Sequence, residues 1–287
     1  MSYYDQDFKP LEIVDGRAVV ADEAEWGKLL EWDLLRSKFP KGDRTIVKLT
    51  TDIFEDVADA LVVNEKGGHF FDDKLNPVRC SDLLARFLLT IELTQQVDYL
   101  IVTRHPELVR EKWGWAWRRG DLNTYGAEIL EDKRIVRPNV ILAVPVETQA
   151  DIERLIPELL KCHDLCKGLE VICNPKERLH VEPYLTRSYE PTEDYTGLQG
   201  IDRIVVEGNE HPIHPDWLRH LRDQCLDANV PFNFAGWGDW VAMGQDVKKL
   251  PVGDYQMKEV KDDYYLKVGK VNAGRLLDGQ EHNGRVS

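Results

Sequence analysis

Several features that would assign this chain to a common class of protein are scarce or missing. The 287 residues include only five cysteines, an odd and sparse number that argues against a disulfide framework. No apolar run approaches the roughly 20 residues that span a bilayer. The N-terminal residues MSYYDQDF are polar and acidic, where a secretory signal would be basic and then apolar. We therefore expect a cytoplasmic protein with reduced cysteines and no membrane contact.

Basic residues are too few for a general nucleic-acid binder. The 37 Lys and Arg residues face 51 Asp and Glu residues, which gives a formal net charge of −14. Such a charge repels phosphate backbones and offers no broad surface for releasing counterions. Duplex nucleic acid is therefore not an expected partner, whereas a small-molecule or nucleotide ligand and a protein partner both remain compatible.

Short apolar runs that end on a polar residue recur along the chain, with helical spacing between them. Such runs predict buried strands, and they cover residues 45–50, 97–102, 139–144, 169–173, 202–206 and 230–234. Alternation of strands and helices predicts parallel strands with right-handed crossovers, in an open doubly wound sheet or in a closed or partly closed barrel. The dinucleotide-binding form of the open sheet carries a glycine-rich loop after its first strand, and none is present here. The barrel is therefore favoured.

The two ends of the chain differ from this repeating pattern. Residues 1–41 predict a β-hairpin that turns at Asp15-Gly16, followed by a helix over residues 21–39 that ends at Pro40. The predicted barrel of about six to seven parallel strands covers residues 42–246. Residues 247–287 are predicted to be a C-terminal extension that packs on the barrel.

Polar residues that follow the predicted strands are the candidates for function. In a barrel of parallel strands the chemistry lies at the carboxyl ends of the strands, where loops can vary without disturbing the core. The candidate catalytic residues are Asp52, Arg104 and Glu147, and the candidate ligand-binding residues are Thr103, Asn174, Asn209, Glu210, His214, Trp237, Asp239 and Trp240. Glu147 is either a general base or the ion-pair partner of Arg104.

Three smaller clusters each have a functional and a structural interpretation. The spacing of Cys162, Cys166 and Cys173 fits no standard zinc site, so core positions are favoured over a metal site. His211 and His214 could bind a metal, but no third ligand stands at a fixed spacing, and a loop stiffened by its prolines is favoured. The alternating tryptophans at 113, 115 and 117 either stack on a planar ligand or form the edge of a half-buried strand or loop. We predict no metal site.

Several motifs occur at the strand ends in the same order as in a known family. These are Thr51-Asp52-Ile53-Phe54, Val102-Thr103-Arg104-His105-Pro106, Pro145-Val146-Glu147, Ile172-Cys173-Asn174-Pro175, His214-Pro215-Asp216-Trp217, Leu221 to Cys225, Trp237-Gly238-Asp239-Trp240 and the tail from Gly269 to Gly279. From roughly Thr45 to Asn283 the chain resembles the phage-associated "gp thirty-seven / gp sixty-eight" family, whose members are largely uncharacterised. The resemblance implies a partial TIM-like barrel of the radical-SAM type.

Departures from this family bear on the cofactor. Family members carry three N-terminal cysteines that would hold a [4Fe–4S] cluster open to S-adenosylmethionine, whereas this chain has no cysteine before Cys80. The family's Gly-Gly-Glu-Ser appears as Glu207-Gly208-Asn209-Glu210, which adds a side chain where the backbone would be bare. We therefore expect no iron–sulfur cluster and no cofactor, with S-adenosylmethionine as the alternative. The expected function is that of a non-radical relative that binds a small ligand or a protein partner. The alternative is an enzyme of phage nucleotide or DNA modification.

Overall fold

The structure of the protein, a computed structural model, describes residues 6–14, 17–21, 23–38, 44–55, 62–63, 68, 78–119, 137–185, 200–250, 256–261 and 263–284. The predicted hairpin turn at Asp15-Gly16 and the predicted helix stop at Pro40 lie outside these residues.

The helices and strands are numbered here in chain order. The strands are β1 (Gln6–Phe8), β2 (Leu11–Val14), β3 (Arg17–Val20), β4 (Thr45–Leu49), β5 (Val62–Val63), β6 (Val97–Val102), β7 (Arg137–Val146), β8 (Cys166–Cys173), β9 (Arg203–Glu207), β10 (Phe232–Gly236), β11 (Trp240–Ala242), β12 (Met257–Val260), β13 (Asp263–Lys267), β14 (Leu276–Leu277) and β15 (Gln280–Glu281). The helices are α1 (Glu23–Lys38), α2 (Cys80–Leu93), α3 (Pro106–Arg119), α4 (Gln149–Leu160), α5 (Glu182–Leu185), α6 (Pro215–Asp227) and α7 (Lys270–Ala273). Within the described part of the chain, no helix has the length and apolar composition to cross a bilayer.

Seven strands form one parallel sheet, in the order β1-β4-β6-β7-β8-β9-β10. Its order follows the chain without reversal, as in a singly wound barrel, whereas a doubly wound sheet reverses at a switch point. The predicted α/β class, with the topology of a partial TIM-like barrel, is therefore confirmed. All six predicted strands are present with bounds shifted by at most three residues. The short first strand, Gln6–Phe8, was not predicted and pairs in parallel with β4.

Two compact units divide the chain. The N-terminal unit comprises Tyr4–Leu142 with Cys162–Lys167, and the C-terminal unit comprises Ala143–Lys161 with Gly168–Ser287.

An aromatic cluster forms the core of the N-terminal unit. Phe87 makes edge contacts with Trp26 and Tyr99, and it stacks on Phe8 of β1. The predicted hairpin is confirmed, because β2 and β3 pair antiparallel, and the predicted helix after it is α1. The prediction of a strand or loop edge for the tryptophan-rich segment is wrong, because this segment lies in helix α3. Trp113 is 3% exposed and stacks on a phenylalanine of the same unit, so it belongs to the core.

The sequence around helix α4 determines where this helix begins and which of its faces is buried. Thr148 begins the helix, and its hydroxyl accepts a hydrogen bond from the Asp151 backbone N at 3.3 Å. The Asp151 carboxylate accepts one in return from the Thr148 backbone N at 3.1 Å, which completes a capping box. The apolar residues at helical spacing, Ile152, Leu155, Ile156 and Leu159, are buried. After β10 the chain forms the antiparallel sheet β11-β13-β12 and the hairpin β14-β15.

Candidate functional site

The carboxyl ends of four neighbouring strands meet along one edge of the C-terminal unit. The Asn174 backbone N donates to Val146 O at 2.9 Å, which joins the ends of β8 and β7. Cys173 stands opposite Val206, which joins β8 to β9. Glu147, Asn174, Glu207 and Trp237 therefore follow one another along this edge, as the strand order requires.

Glu147 follows β7 and is held in place from both sides. Its side chain is 28% exposed, and its carboxylate contacts the Lys176 ammonium. Its backbone carbonyl accepts a hydrogen bond from Lys176 N at 2.8 Å. The observed ion-pair partner is Lys176, whereas the sequence suggested Arg104. A carboxylate that is neutralised in this way is a weak candidate for a general base.

Asn174 follows β8, and one buried atom of its side chain has no hydrogen-bond partner. Its Oδ1 atom is buried and accepts no hydrogen bond, and the side chain as a whole is partly buried. Buried polar atoms without a partner are uncommon in native proteins. Asn174 therefore remains a candidate ligand-binding residue.

The loops after β9 and β10 cross at very close range. Gly208 N donates to Gly236 O at 2.9 Å, and Asp239 N donates to Asn209 O at 2.8 Å. A Cβ built on Gly208 would lie 2.6 Å from Gly238 N and nearer still to the Trp237 carbonyl. Only glycine fits at Gly208, because the neighbouring atoms are backbone. The close approach of the two loops is therefore enough to account for glycine at position 208, and no bound cofactor is needed to explain it.

The Trp237-Gly238-Asp239-Trp240 segment fastens the C-terminal residues to the strand ends. Trp237 is 0% exposed, and its Nε1 donates to Leu276 O at 2.9 Å. The indole therefore offers no surface to a ligand. The Asp239 carboxylate accepts a hydrogen bond from Lys270 N at 3.2 Å, and Trp240 begins β11 with its ring 5.7 Å from Lys267 Nζ.

The remaining predicted residues after β9 lie on its loop and at the start of α6. Asn209 and Glu210 are exposed. His214 caps α6, since its Nδ1 accepts a hydrogen bond from Asp216 N at 3.1 Å. Its Nε2 lies 2.7 Å from the Asp263 carboxylate, so both ring nitrogens are engaged. These contacts give His214 a structural role.

Asp52, Thr103 and Arg104 lie together in the N-terminal unit. Asp52 Oδ2 accepts hydrogen bonds from Thr103 Oγ1 at 3.0 Å and from Arg104 N at 2.8 Å. Its Oδ1 accepts one from Phe54 N at 3.0 Å. The carboxylate thus joins the ends of β4 and β6, and the Arg104 side chain is exposed. These hydrogen bonds link the two loops, so Asp52 has a structural role here.

The described thiols do not fit an iron–sulfur cluster. All four, Cys162, Cys166, Cys173 and Cys225, are buried and free of disulfides. Burial raises the pKa of the Cys225 thiol to about 12 and raises that of Cys173 further. A cluster of this type is held by cysteine thiolates that are grouped around the irons. In the described part of the chain, no three His, Cys, Asp or Glu side chains are grouped to hold a metal ion.

A cavity of about 420 Å³ opens beside the loop crossing in the C-terminal unit. Glycine backbone and small side chains form much of its wall, and its charged residues are Glu207, Lys248, Lys270, Arg275 and Glu281. We call it the glycine-lined cavity. It lies at the carboxyl ends of β9 and β10, which is where the barrel topology predicts a site.

None of the residues predicted from the sequence lines this cavity, although Asn209, Trp237 and Asp239 form the crossing beside it. Sequence reasoning missed Lys248, Lys270 and Arg275 because they come from the C-terminal extension, more than ten residues beyond the last strand of the parallel sheet. The family-like tail motif from Gly269 to Gly279 could have pointed to Lys270 and Arg275, and no sequence signal marked Lys248.

Of three comparisons with known proteins, one found a match, and that match covers nearly the whole chain. Searches of the curated proteins and of the solved structures found no match. The family model described as "protein of unknown function (DUF5131)" matches residues 17–285, so the chain belongs to that family.

Proposed function

We propose that this protein binds a small ligand in the glycine-lined cavity and is a non-radical relative of the phage-associated radical-SAM-like proteins. The observation that carries the proposal is the cavity itself. Its volume of about 420 Å³ falls within the range of small-molecule sites, roughly 300–1,000 Å³. Its position at the carboxyl ends of parallel strands is where barrel proteins bind their ligands.

The walls of the cavity are held by backbone hydrogen bonds. Trp237 N donates to Gly274 O at 3.3 Å, and Lys248 N donates to Asn272 O at 2.9 Å. Gly269 N donates to Asp239 O at 3.1 Å. A wall built in this way is already ordered before a ligand arrives, so binding costs less conformational entropy.

The non-radical part of the proposal is supported by the thiols. No cysteine precedes Cys80, and the four described thiols are buried with no disulfide. Buried free cysteines also fit a reducing compartment, and we extend the proposal to a cytoplasmic location.

A thermal-shift screen tests the proposal. The wild type and Ala235→Phe, whose larger side chain would fill the cavity from its wall, are screened with S-adenosylmethionine, nucleosides, nucleoside monophosphates, sugar phosphates and amino acids. A ligand at 100 times its Kd stabilises the native state by about 2.7 kcal/mol. For a chain of this size the melting temperature then rises by about 5–10 °C. We expect at least one compound to stabilise the wild type and not Ala235→Phe.

Ala228→Phe is the matched control, because Ala228 ends α6 and does not line the cavity. It should respond to the ligand as the wild type does. If no compound stabilises the wild type, or if Ala235→Phe responds equally, the cavity is not a binding site.

An enzymatic activity is the second candidate, and Glu207 is the observation that favours it. Its carboxylate is on the cavity wall, its side chain is 21% exposed, and it lies 3.7 Å from Lys270 Nζ. An acid beside a bound ligand can act as a general base, as in the expected alternative of a phage nucleotide-modifying enzyme. In that case Glu207→Gln retains binding and loses turnover, whereas Glu147→Gln retains both.

A further inference from the structure

We infer that the ligand of the glycine-lined cavity carries a terminal phosphate monoester, held by Lys248, Lys270 and Arg275. This inference rests on the proposed function and names the chemical class of its ligand.

Three cationic side chains from three separate segments face one cavity in a strongly acidic protein. Lys248 follows β11, Lys270 begins α7 and Arg275 precedes β14. The chain as a whole has a formal net charge of −14, yet the cavity lining carries three cations against the two acids Glu207 and Glu281. The local excess of positive charge attracts an anion to a surface that otherwise repels one.

The backbone that carries each lysine is fixed in place. Lys248 N and Lys249 N both donate to Asn272 O, at 2.9 and 3.2 Å. Lys270 N donates to the Asp239 carboxylate at 3.2 Å. A Cβ built on Gly274 would lie 3.5 Å from Lys248 N, so the Lys248 backbone stands directly beside the Gly274 wall. The ammonium groups can therefore reach the cavity from anchored positions.

Each of the two acids lies beside one of the cations, and Lys248 supplies the excess of positive charge. Arg275 is 20% exposed and pairs with Glu281 at 3.2 Å, which fixes the direction of its planar guanidinium group. Lys270 Nζ is 3.7 Å from Glu207, longer than a hydrogen bond, and its side chain is 68% exposed. Lys270 can thus turn from Glu207 toward an incoming anion at little cost.

A phosphate monoester matches this arrangement better than a carboxylate does. Its three terminal oxygens can each meet one of the three cationic groups, and its double negative charge is attracted more strongly than a single charge to the positive excess of the cavity. A carboxylate offers a single charge and two oxygens. The remaining part of the ligand would lie against the glycine backbone and Ala235, where there is room but little charge.

Isothermal titration calorimetry with matched pairs tests the inference. Wild-type protein is titrated with adenosine 5′-monophosphate, adenosine, ribose 5-phosphate, ribose and inorganic phosphate. The two phosphorylated compounds represent a nucleotide source and a sugar source of the same group. We expect at least one of them to bind at least tenfold more tightly than its unphosphorylated partner, and to bind more weakly as the salt concentration rises.

Charge variants locate the group. Lys248→Gln and Lys270→Gln should each weaken binding of the phosphorylated compound by roughly tenfold, since each removes one charge-assisted contact. Lys258→Gln makes the same charge change on exposed strand β12, away from the cavity, and should leave the affinity within about twofold. Equal melting temperatures without ligand verify that the variants fold.

The outcomes separate this inference from the proposed function. If a phosphorylated compound and its unphosphorylated partner bind equally, and Ala235→Phe abolishes both, the cavity binds a ligand but the phosphate inference is wrong. If Lys258→Gln weakens binding as much as the lysine variants of the cavity do, the effect is one of net charge and the inference is also wrong. If none of the five compounds binds at millimolar concentration, the inference is overturned. The wider thermal-shift screen then decides whether the cavity takes another ligand.

Discussion

Replacement of Gly208 by alanine tests the loop crossing on which the cavity depends. The added Cβ would stand 2.6 Å from Gly238 N, whereas ordinary contact begins at 3.4 Å. The two loops must therefore separate by at least about 0.8 Å, since backbone atoms cannot rotate away as a side chain can. The Gly208 N to Gly236 O bond of 2.9 Å would then exceed hydrogen-bonding distance, and the Asp239 N to Asn209 O bond of 2.8 Å would be strained.

The expected cost follows from these bonds. Each backbone group left unpaired in a buried position costs about 1–3 kcal/mol, and the steric overlap adds about 1–3 kcal/mol. We expect Gly208→Ala to lower the free energy of unfolding by about 3–5 kcal/mol. Urea denaturation followed by tryptophan fluorescence measures it.

Two glycines provide controls that separate steric overlap from conformation. Gly244 has a φ of 93° with nothing within 4 Å of a built Cβ, so Gly244→Ala should cost only about 1–2 kcal/mol for the left-handed conformation. Gly27 lies inside α1 with open space around it, and Gly27→Ala should stabilise by about 0.5–1 kcal/mol. A Gly208→Ala variant that loses no more stability than Gly244→Ala would refute the steric argument.

Three further substitutions test other contacts. Trp237→Phe removes the hydrogen bond to the Leu276 carbonyl and some buried volume, and should cost about 2–4 kcal/mol in urea denaturation. Glu170→Leu removes the carboxylate that pairs with the buried Arg203 and should cost about 3–5 kcal/mol, whereas the double variant with Arg203→Met should recover most of that loss. A hydrogen bond from an arginine of α6 holds the pKa of Asp278 at about 2, below its ordinary value of 3.8. Its stabilisation is therefore present above pH 4 and lost as the pH falls toward 2, so Asp278→Asn should cost at most about 1 kcal/mol at pH 7 and nothing near pH 2.

Each of these predictions has a result that would contradict it. Trp240 is partly exposed in β11, so Trp240→Phe should change stability by less than about 1 kcal/mol. An equal loss of stability in both tryptophan variants would show that burial of the Trp237 indole is not the cause. A double variant at Glu170 and Arg203 as unstable as Glu170→Leu would show that the lost compensation of the Arg203 charge is not the cause. Asp246→Asn, an exposed acid of the same unit with no hydrogen bond to that arginine, should leave the acid-dependent loss of stability unchanged.

The parallel sheet could be predicted because each buried strand is a run of β-branched and aliphatic residues that ends on a polar residue. The run Val97–Val102, for example, is a strand with the predicted bounds. The first strand, Gln6–Phe8, could not be found in this way because it has three residues, of which two are exposed and polar. Its strand conformation depends on pairing with β4, because its own sequence does not encode a buried strand. The prediction for the alternating tryptophans was wrong because the segment is helical, and a period of two residues does not define one face of a helix.

The cavity could not be predicted, because its residues converge only when the extension folds back on the strand ends. Lys248, Lys270 and Arg275 share no period, and their common position depends on hydrogen bonds such as that from Trp237 Nε1 to Leu276 O. Trp237 was expected at a ligand-contacting wall and is instead the anchor of that extension. Glu147 and Asp52 were placed correctly at strand ends by their spacing, but the partners that engage their carboxylates are set by tertiary contacts.

The neighbouring residues Glu207 and Gly208 differ in what the structure requires of them. One position faces backbone and the other faces the cavity. At Gly208 a Cβ would meet the Trp237 and Gly238 backbone, so any residue but glycine breaks the crossing. At Glu207 the side chain instead faces the cavity, with Lys270 Nζ 3.7 Å from its carboxylate. Because the crossing requires glycine at position 208 and not at position 207, a substitution of Glu207 alters the charge of the cavity without loss of stability. Glu207→Gly should then leave the free energy of unfolding within about 1 kcal/mol. It should also strengthen binding of adenosine 5′-monophosphate by removing a negative charge, and calorimetry that finds weaker binding would contradict the assignment of Lys270 to the anion.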